Sequence, residues 1–164
     1  KGKYPIKFCK DEENWTEKYL LDWGKRCKAH AEKLFELIYA IHRSGKKICC
    51  VSAPAKGMTL LNYTGIGKYI DFVTEKSKLK IGRYTPGDKI KIVGDDQLDK
   101  ADYALILAWN FEKEIRANNP NYKGTWIVPL PEIKLYETTN YKGQTGSDKR
   151  LNGGQGFLDN SYNV

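Results

Sequence analysis

This 164-residue chain has no long hydrophobic run. None of its apolar stretches approaches the roughly 20 residues that a membrane-spanning helix needs, so no membrane partner is expected. Histidine is scarce: only His30 and His42 are present, both in a stretch with helical periodicity. No Ser-His-Asp or Cys-His constellation accompanies them, which leaves no visible centre for acyl transfer. The four cysteines, at 9, 27, 49 and 50, show neither Cys-x-x-Cys spacing nor histidine pairing, so no metal site is predicted. Cys49 and Cys50 fall inside an apolar run and read as small buried hydrophobes. Reduced thiols of this kind point to a cytoplasmic protein. No charged-then-apolar leader opens the sequence, so no signal peptide is expected. The chain begins at Lys1 without an initiator methionine, as a piece of a longer protein would.

Blocks of one charge are also missing. The formal charge is +8, from 28 Lys and Arg against 20 Asp and Glu. Acids are interleaved throughout, as in Lys10-Asp11-Glu12-Glu13 and Asp95-Asp96. A basic surface favours small anionic partners. The absence of a basic stripe with interleaved aromatics argues against nucleic acid.

What is present is a regular alternation of elements. Residues 15–44 carry Leu20, Trp23, Cys27, Leu34, Ile38 and Ile41 at spacings near three and four, the signature of an amphipathic helix. Gly24 weakens that helix or marks a kink, and Gly45 supplies a stop. Residues 47–51 read as a buried strand. A helix follows from Met58 toward Gly65, then a strand over 69–74. Thr85-Pro86-Gly87-Asp88 is a turn, 89–93 a short strand, and 95–100 one or two helical turns. Residues 103–108, almost wholly apolar, read as a central parallel strand. Asn110 stands ready to cap a helix over 111–117. Residues 125–128 form the last predicted strand, closed by Pro129 and Pro131. Strands alternating with helices predict an α/β fold, a Rossmann-like three-layer domain with a mainly parallel sheet. Three parts follow: an extension over 1–14, the domain over 15–132, and an irregular tail over 133–164. The tail is rich in Gly and Asn; Leu151, Phe157 and Tyr162 are the residues that would pin it. Gly153-Gly154-Gln155-Gly156 reads as flexible, because no strand leads into it.

The junction Cys49-Cys50-Val51-Ser52-Ala53-Pro54-Ala55-Lys56-Gly57-Met58-Thr59 carries the strongest functional signal. A strand ends there in small residues and a helix begins. Unpaired amides at a helix N-terminus hold phosphates or carboxylates. Ser52 and Ala53 are small enough to admit a ligand. Lys56 pairs with a diphosphate in this reading, or is an exposed helix-start lysine. Thr59 donates to the same anion or caps the helix. Gly57 permits close approach of helix to sheet. Glu75, about 18 residues further on, stands where dinucleotide folds place the acid that binds a ribose hydroxyl, or is a solvated strand-end charge. The junction lacks Gly-x-Gly-x-x-Gly, which disfavours NAD. Arg83 and Tyr84 either clamp a phosphate and stack on a base or merely flank the turn. Trp109 is a stacking wall or packs against a neighbouring subdomain; Asn110 is an N-cap or a ligand contact. Cys50, next to the junction, has only Lys56 and the helix end to lower its pKa.

Three blocks together resemble a known family: the run from Ala53 to Tyr63, then Gly82-Arg83-Tyr84-Thr85-Pro86-Gly87, then Ala108-Trp109-Asn110-Phe111. Their order resembles the C-terminal domain of S-adenosylmethionine-dependent sugar C-methyltransferases, which act on nucleotide-linked deoxysugars. The likeness covers roughly residues 15 to 132. It implies a whole enzyme with a zinc-binding part, a middle domain that binds S-adenosylmethionine, and this third domain helping to hold the nucleotide-diphosphate sugar. By resemblance the chain holds no cofactor itself, contacts the S-adenosylmethionine domain as a partner, and is inactive alone. Departures stand at Cys50 and Ser52, where the family carries glycines, at Met58 (usually Asn) and at Glu75 (usually Asp). Two other readings remain open: a non-catalytic interaction module, and an independent nucleotide- or NAD-binding domain.

Overall fold

A computed structural model describes residues 16–137 and 149–150. The predicted extension over 1–14 and most of the tail, with Leu151, Phe157, Tyr162 and the glycines at 153–156, lie outside the described residues. The first helix, α1, is Glu17–Arg43. Thr16 caps it, its hydroxyl accepting from the Tyr19 amide at 3.2 Å. It runs unbroken through Gly24 and ends at Ser44 and Gly45, the latter at φ +74°. A four-residue strand, β1 (Ile48–Val51), follows and is buried throughout. The next elements are α2 (Ala55–Thr64), ended by Gly65 in the left-handed conformation, and β2 (Phe72–Glu75). Beyond them come β3 (Ile92–Gly94), β4 (Tyr103–Ile106), α3 (Glu112–Ala117) and β5 (Thr125–Val128).

The strands lie in the order β3-β2-β1-β4-β5, all parallel. β1 sits at the centre, with Val51 paired to Thr74 on one side and to Ile106 on the other. The chain walks outward from β1 to β3, then returns and walks the other way through β4 and β5. The crevice between the carboxyl ends of β1 and β4 is therefore the place where the winding reverses, and open α/β sheets bind ligands there.

Period-two alternation in the central strands feeds two cores. Ile48 and Cys50 pack with Leu34, Ile38 and Ile41 of α1 and Met58 and Leu61 of α2. Cys49 and Val51 pack on the opposite face with Leu98, Tyr122 and Trp126. The neighbouring cysteines thus face opposite layers, as successive strand residues must. Burial pushes the Cys49 thiol up to about 12 and Cys50 well above the ordinary thiol range, so neither supplies a thiolate near neutral pH.

Several boundaries differ from the sequence reading. The strand expected over 69–74 begins only at Phe72, because Gly67–Tyr69 forms a 3-10 turn whose Tyr69 ring packs against Phe35, Tyr39 and His42 of α1. The strand expected over 89–93 is shifted to Ile92–Gly94. Asn110 does not cap α3. It lies within a 3-10 turn, Trp109–Phe111, and Phe111 takes the cap position without a side-chain hydrogen bond. The sheet also does not close at Thr125–Val128. β6 (Lys134–Glu137) pairs antiparallel with β5, and β7 (Lys149–Arg150) pairs antiparallel with β6. Residues 134–137, of mixed polarity, carry no periodicity of their own and fall in the expected irregular tail; pairing with β5 supplies what the pattern lacks. Among the described residues no helix is long and apolar enough to cross a membrane.

Candidate functional site

Val51 ends β1 with its carbonyl bound by the Leu107 amide at 3.1 Å. Ser52 then turns the chain at φ +69°. This is the left-handed region, where glycine is favoured, so a side chain sits on backbone that suits a glycine. The Ala53 amide does not face open solvent: it donates to Glu75 Oε2 at 3.1 Å. Pro54 precedes α2, and its carbonyl accepts from Gly57 and Met58 at 2.9 and 3.2 Å. The amides of Ala55 and Lys56 are left as the first-turn donors with no acceptor among the described residues.

Gly57 is pressed against the far side of the crevice. A methyl group built on it would stand 2.6 Å from Leu107 Cβ, so only glycine allows α2 to approach the strand end this closely. Thr59 lies one turn further on, its hydroxyl donating back to Ala55 at 3.4 Å. It does not act as a cap.

Lys56 spans the crevice. Its ammonium lies 4.3 Å from the Trp109 ring centroid, a cation–π contact worth about 0.5–2 kcal/mol depending on exposure. Among the described residues it has no carboxylate partner. The structure thus brings together Lys56 from the β1 side and Trp109 from the β4 side, with two open amides beside them.

Glu75 closes the adjoining corner. Oε2 accepts from Ala53 and from Lys80 Nζ, both at 3.1 Å; Oε1 accepts from Lys76 at 2.9 Å and Ser77 at 3.2 Å. Burial pushes this carboxyl up, but the Ser77 and Ala53 amides and the Lys80 ammonium outweigh it and hold it below the usual glutamate range. Lys80 also donates to the Ala53 carbonyl at 3.1 Å. With both oxygens engaged, Glu75 ties the β1–α2 turn to the loop that follows β2 and has little capacity left for a ribose diol. Sequence reasoning missed Lys80; its place five residues after Glu75 in a loop gives no periodic signal.

Arg83 and Tyr84 are not brought to this crevice. Residues 82–85 pair with 90–92 on the outer edge of the sheet, through the Ile92 amide to the Arg83 carbonyl at 2.8 Å and the Tyr84–Lys91 bridge. Three inter-strand steps separate them from β1, about 14 Å at the usual spacing. Asn110 is close to the crevice, exposed, immediately after Trp109. Among the described residues no group of three or more His, Cys, Asp or Glu side chains is placed to hold a metal.

Comparison with known proteins bears on this arrangement. The family described as the C-methyltransferase C-terminal domain matches residues 7–131. The chain is also 36% identical over 106 residues to the C-methyltransferase NovU of Streptomyces niveus. That alignment takes in 61% of this chain and 25% of NovU, so the chain spans about a quarter of the length of that relative.

Proposed function

We propose, from the premise that this chain belongs to the C-methyltransferase C-terminal domain family, that it is the substrate-contacting portion of an enzyme methylating a carbon of a nucleotide-linked deoxysugar. The supporting observation is the crevice at the winding reversal, where Lys56 lies on Trp109 without an acidic partner and two first-turn amides remain open. A diphosphate offers such a site two negative charges and several acceptor oxygens. Lys56 binds it as a point charge, the Ala55 and Lys56 amides orient it, and Trp109 forms a wall. The methyl donor, S-adenosylmethionine, belongs in this reading to a part of the enzyme outside this chain. The described residues fit it poorly, since Glu75, the one acid at the ribose position, is spent on Ala53, Lys76, Ser77 and Lys80. The same saturation argues against NAD. The reading places the enzyme in the cytoplasm, with the donor-binding domain as the partner of this one.

Calorimetric and thermal-shift titration of the 164-residue chain with dTDP, UDP, GDP, S-adenosylmethionine and NAD tests the reading. A nucleoside diphosphate is expected to raise the melting temperature, by linkage to the native state. Lys56→Ala is expected to remove most of that shift. Stabilisation by NAD alone, or by no nucleotide, would sink it.

A second reading has its own observations. Along the face of α1 that buries Leu34, Ile38 and Ile41, the first half of the helix leaves Leu20 49% and Trp23 55% exposed. Together with a Glu75 corner satisfied from within, this favours a module that docks another domain and binds no small molecule. Absence of any nucleotide response would favour it.

A further inference from the structure

Next to the Lys56 crevice lies a groove of about 450 Å³, between the segment that follows β4 and the turn joining β5 to β6. Trp109 belongs to both, with the Lys56 ammonium over its ring and the groove along it. The groove differs from the crevice in chemistry. Its lining sets two acids, Glu112 and Glu114, against two lysines, Lys113 and Lys134, and at its margin Arg116 Nε donates to Glu112 at 2.8 Å while the guanidinium lies 3.8 Å from the Tyr136 ring centroid. Little net charge is left there for an anion. Phe111, by contrast, keeps 59% of its surface in water. Beside it the Asn110 side-chain amide has no hydrogen-bond partner among the described residues. An open aromatic face next to a free amide suits a flat heterocycle with donors and acceptors along its edge. The face stacks, and the amide can both donate and accept.

Resting on the reading that Lys56 holds a diphosphate, we propose that this groove receives the nucleobase of the same nucleotide, stacked on Phe111 and hydrogen-bonded by Asn110. Trp109 sets the order along the ligand: phosphates on its Lys56 side, base on its groove side. The volume falls in the range of small-molecule sites. The groove, not the crevice, then decides which nucleotide is accepted, because the crevice sees only phosphate.

A nucleobase could come from the sugar nucleotide or from the adenosine of the methyl donor, and titration separates the two. The 164-residue chain, Phe111→Ala and Phe111→Tyr would be titrated with dTDP, UDP, GDP, inorganic pyrophosphate and S-adenosylmethionine. One nucleoside diphosphate should bind at least about tenfold more tightly than pyrophosphate, the scale of one base–aromatic stack. Phe111→Ala should remove that advantage and leave pyrophosphate binding unchanged, while Phe111→Tyr restores it. Circular dichroism confirms that the variants fold. Equal binding of nucleotides and pyrophosphate, both lost in Lys56→Ala, would overturn the base assignment and leave the diphosphate reading standing. Binding of S-adenosylmethionine alone, lost in Phe111→Ala, would overturn it in favour of the donor. Binding of neither nucleotide nor pyrophosphate would overturn both readings.

Discussion

Two junctions meet at the carboxyl edge of the sheet, and they are built in opposite ways. After β1 the chain turns within three residues into a ten-residue helix, with Gly57 against Leu107 and the Ala53 amide held by Glu75. After β4 it passes through a 3-10 turn into a six-residue helix with no side-chain cap and no buried residue. The first junction is tight, its Glu75 corner satisfied from within while the Ala55 and Lys56 amides stay open. The second leaves Asn110 and Phe111 in water. The difference teaches where rigidity and recognition are divided. In the reading proposed above, the cation and two amides of the β1 junction meet the phosphate that every nucleotide shares, and the uncommitted aromatic and amide groups of the β4 junction tell one ligand from another.

The contrast is broken most directly at Gly57. Gly57→Ala is expected to destabilise the domain by about 1–3 kcal/mol through overpacking, even though alanine is the better helix former. Urea denaturation would measure it; an unchanged midpoint would mean that the approach of α2 to Leu107 is not tight. A smaller effect is expected at Glu75. Glu75→Gln keeps the shape but removes charge from four hydrogen bonds, a loss of about 1–2 kcal/mol near neutral pH. Because the carboxyl is held below its usual range when folded, its stabilising contribution is present above the unfolded glutamate value, about 4.3. It is lost as the pH falls through the lower folded value. The gap in urea midpoint between wild type and Glu75→Gln should therefore shrink from pH 7 toward pH 3; a constant gap would remove Glu75 as an ionised latch. The smallest effect belongs to the open junction. Asn110→Ala should change stability by less than about 0.5 kcal/mol, as exposed sites without a structural partner do. A loss near 1 kcal/mol, the usual cost of a deleted N-cap, would show that Asn110 holds the 109–112 turn after all.

Much of this architecture was legible beforehand. Leu34, Ile38 and Ile41 announce a helix face, and the apolar runs at 48–51 and 103–106 announce central strands, because burial on both sides leaves no polar position to interrupt them. Gly57 was readable as a close-approach glycine. Other features were not. Residues 134–137 have no pattern that marks a strand until β5 stands beside them. Lys80 finds Glu75 only because a loop folds back. Arg83 and Tyr84 look like neighbours of the junction in the order of motifs, yet strand pairing carries them to the far edge.

The amino-acid sequence alone determined the α/β alternation, the long opening helix, the glycine stops and the strand-to-helix turn at 52–57. Each of these is written in nearest neighbours: periodicity, backbone freedom and capping act over a few residues. The tertiary structure alone decided that Lys56 would meet Trp109, that Glu75 would be consumed by three amides and a lysine, and that Phe111 would stay in water. Those outcomes depend on which strands lie side by side, and hydrogen bonds and cation–π contacts form only once packing has brought distant parts of the chain within a few ångströms.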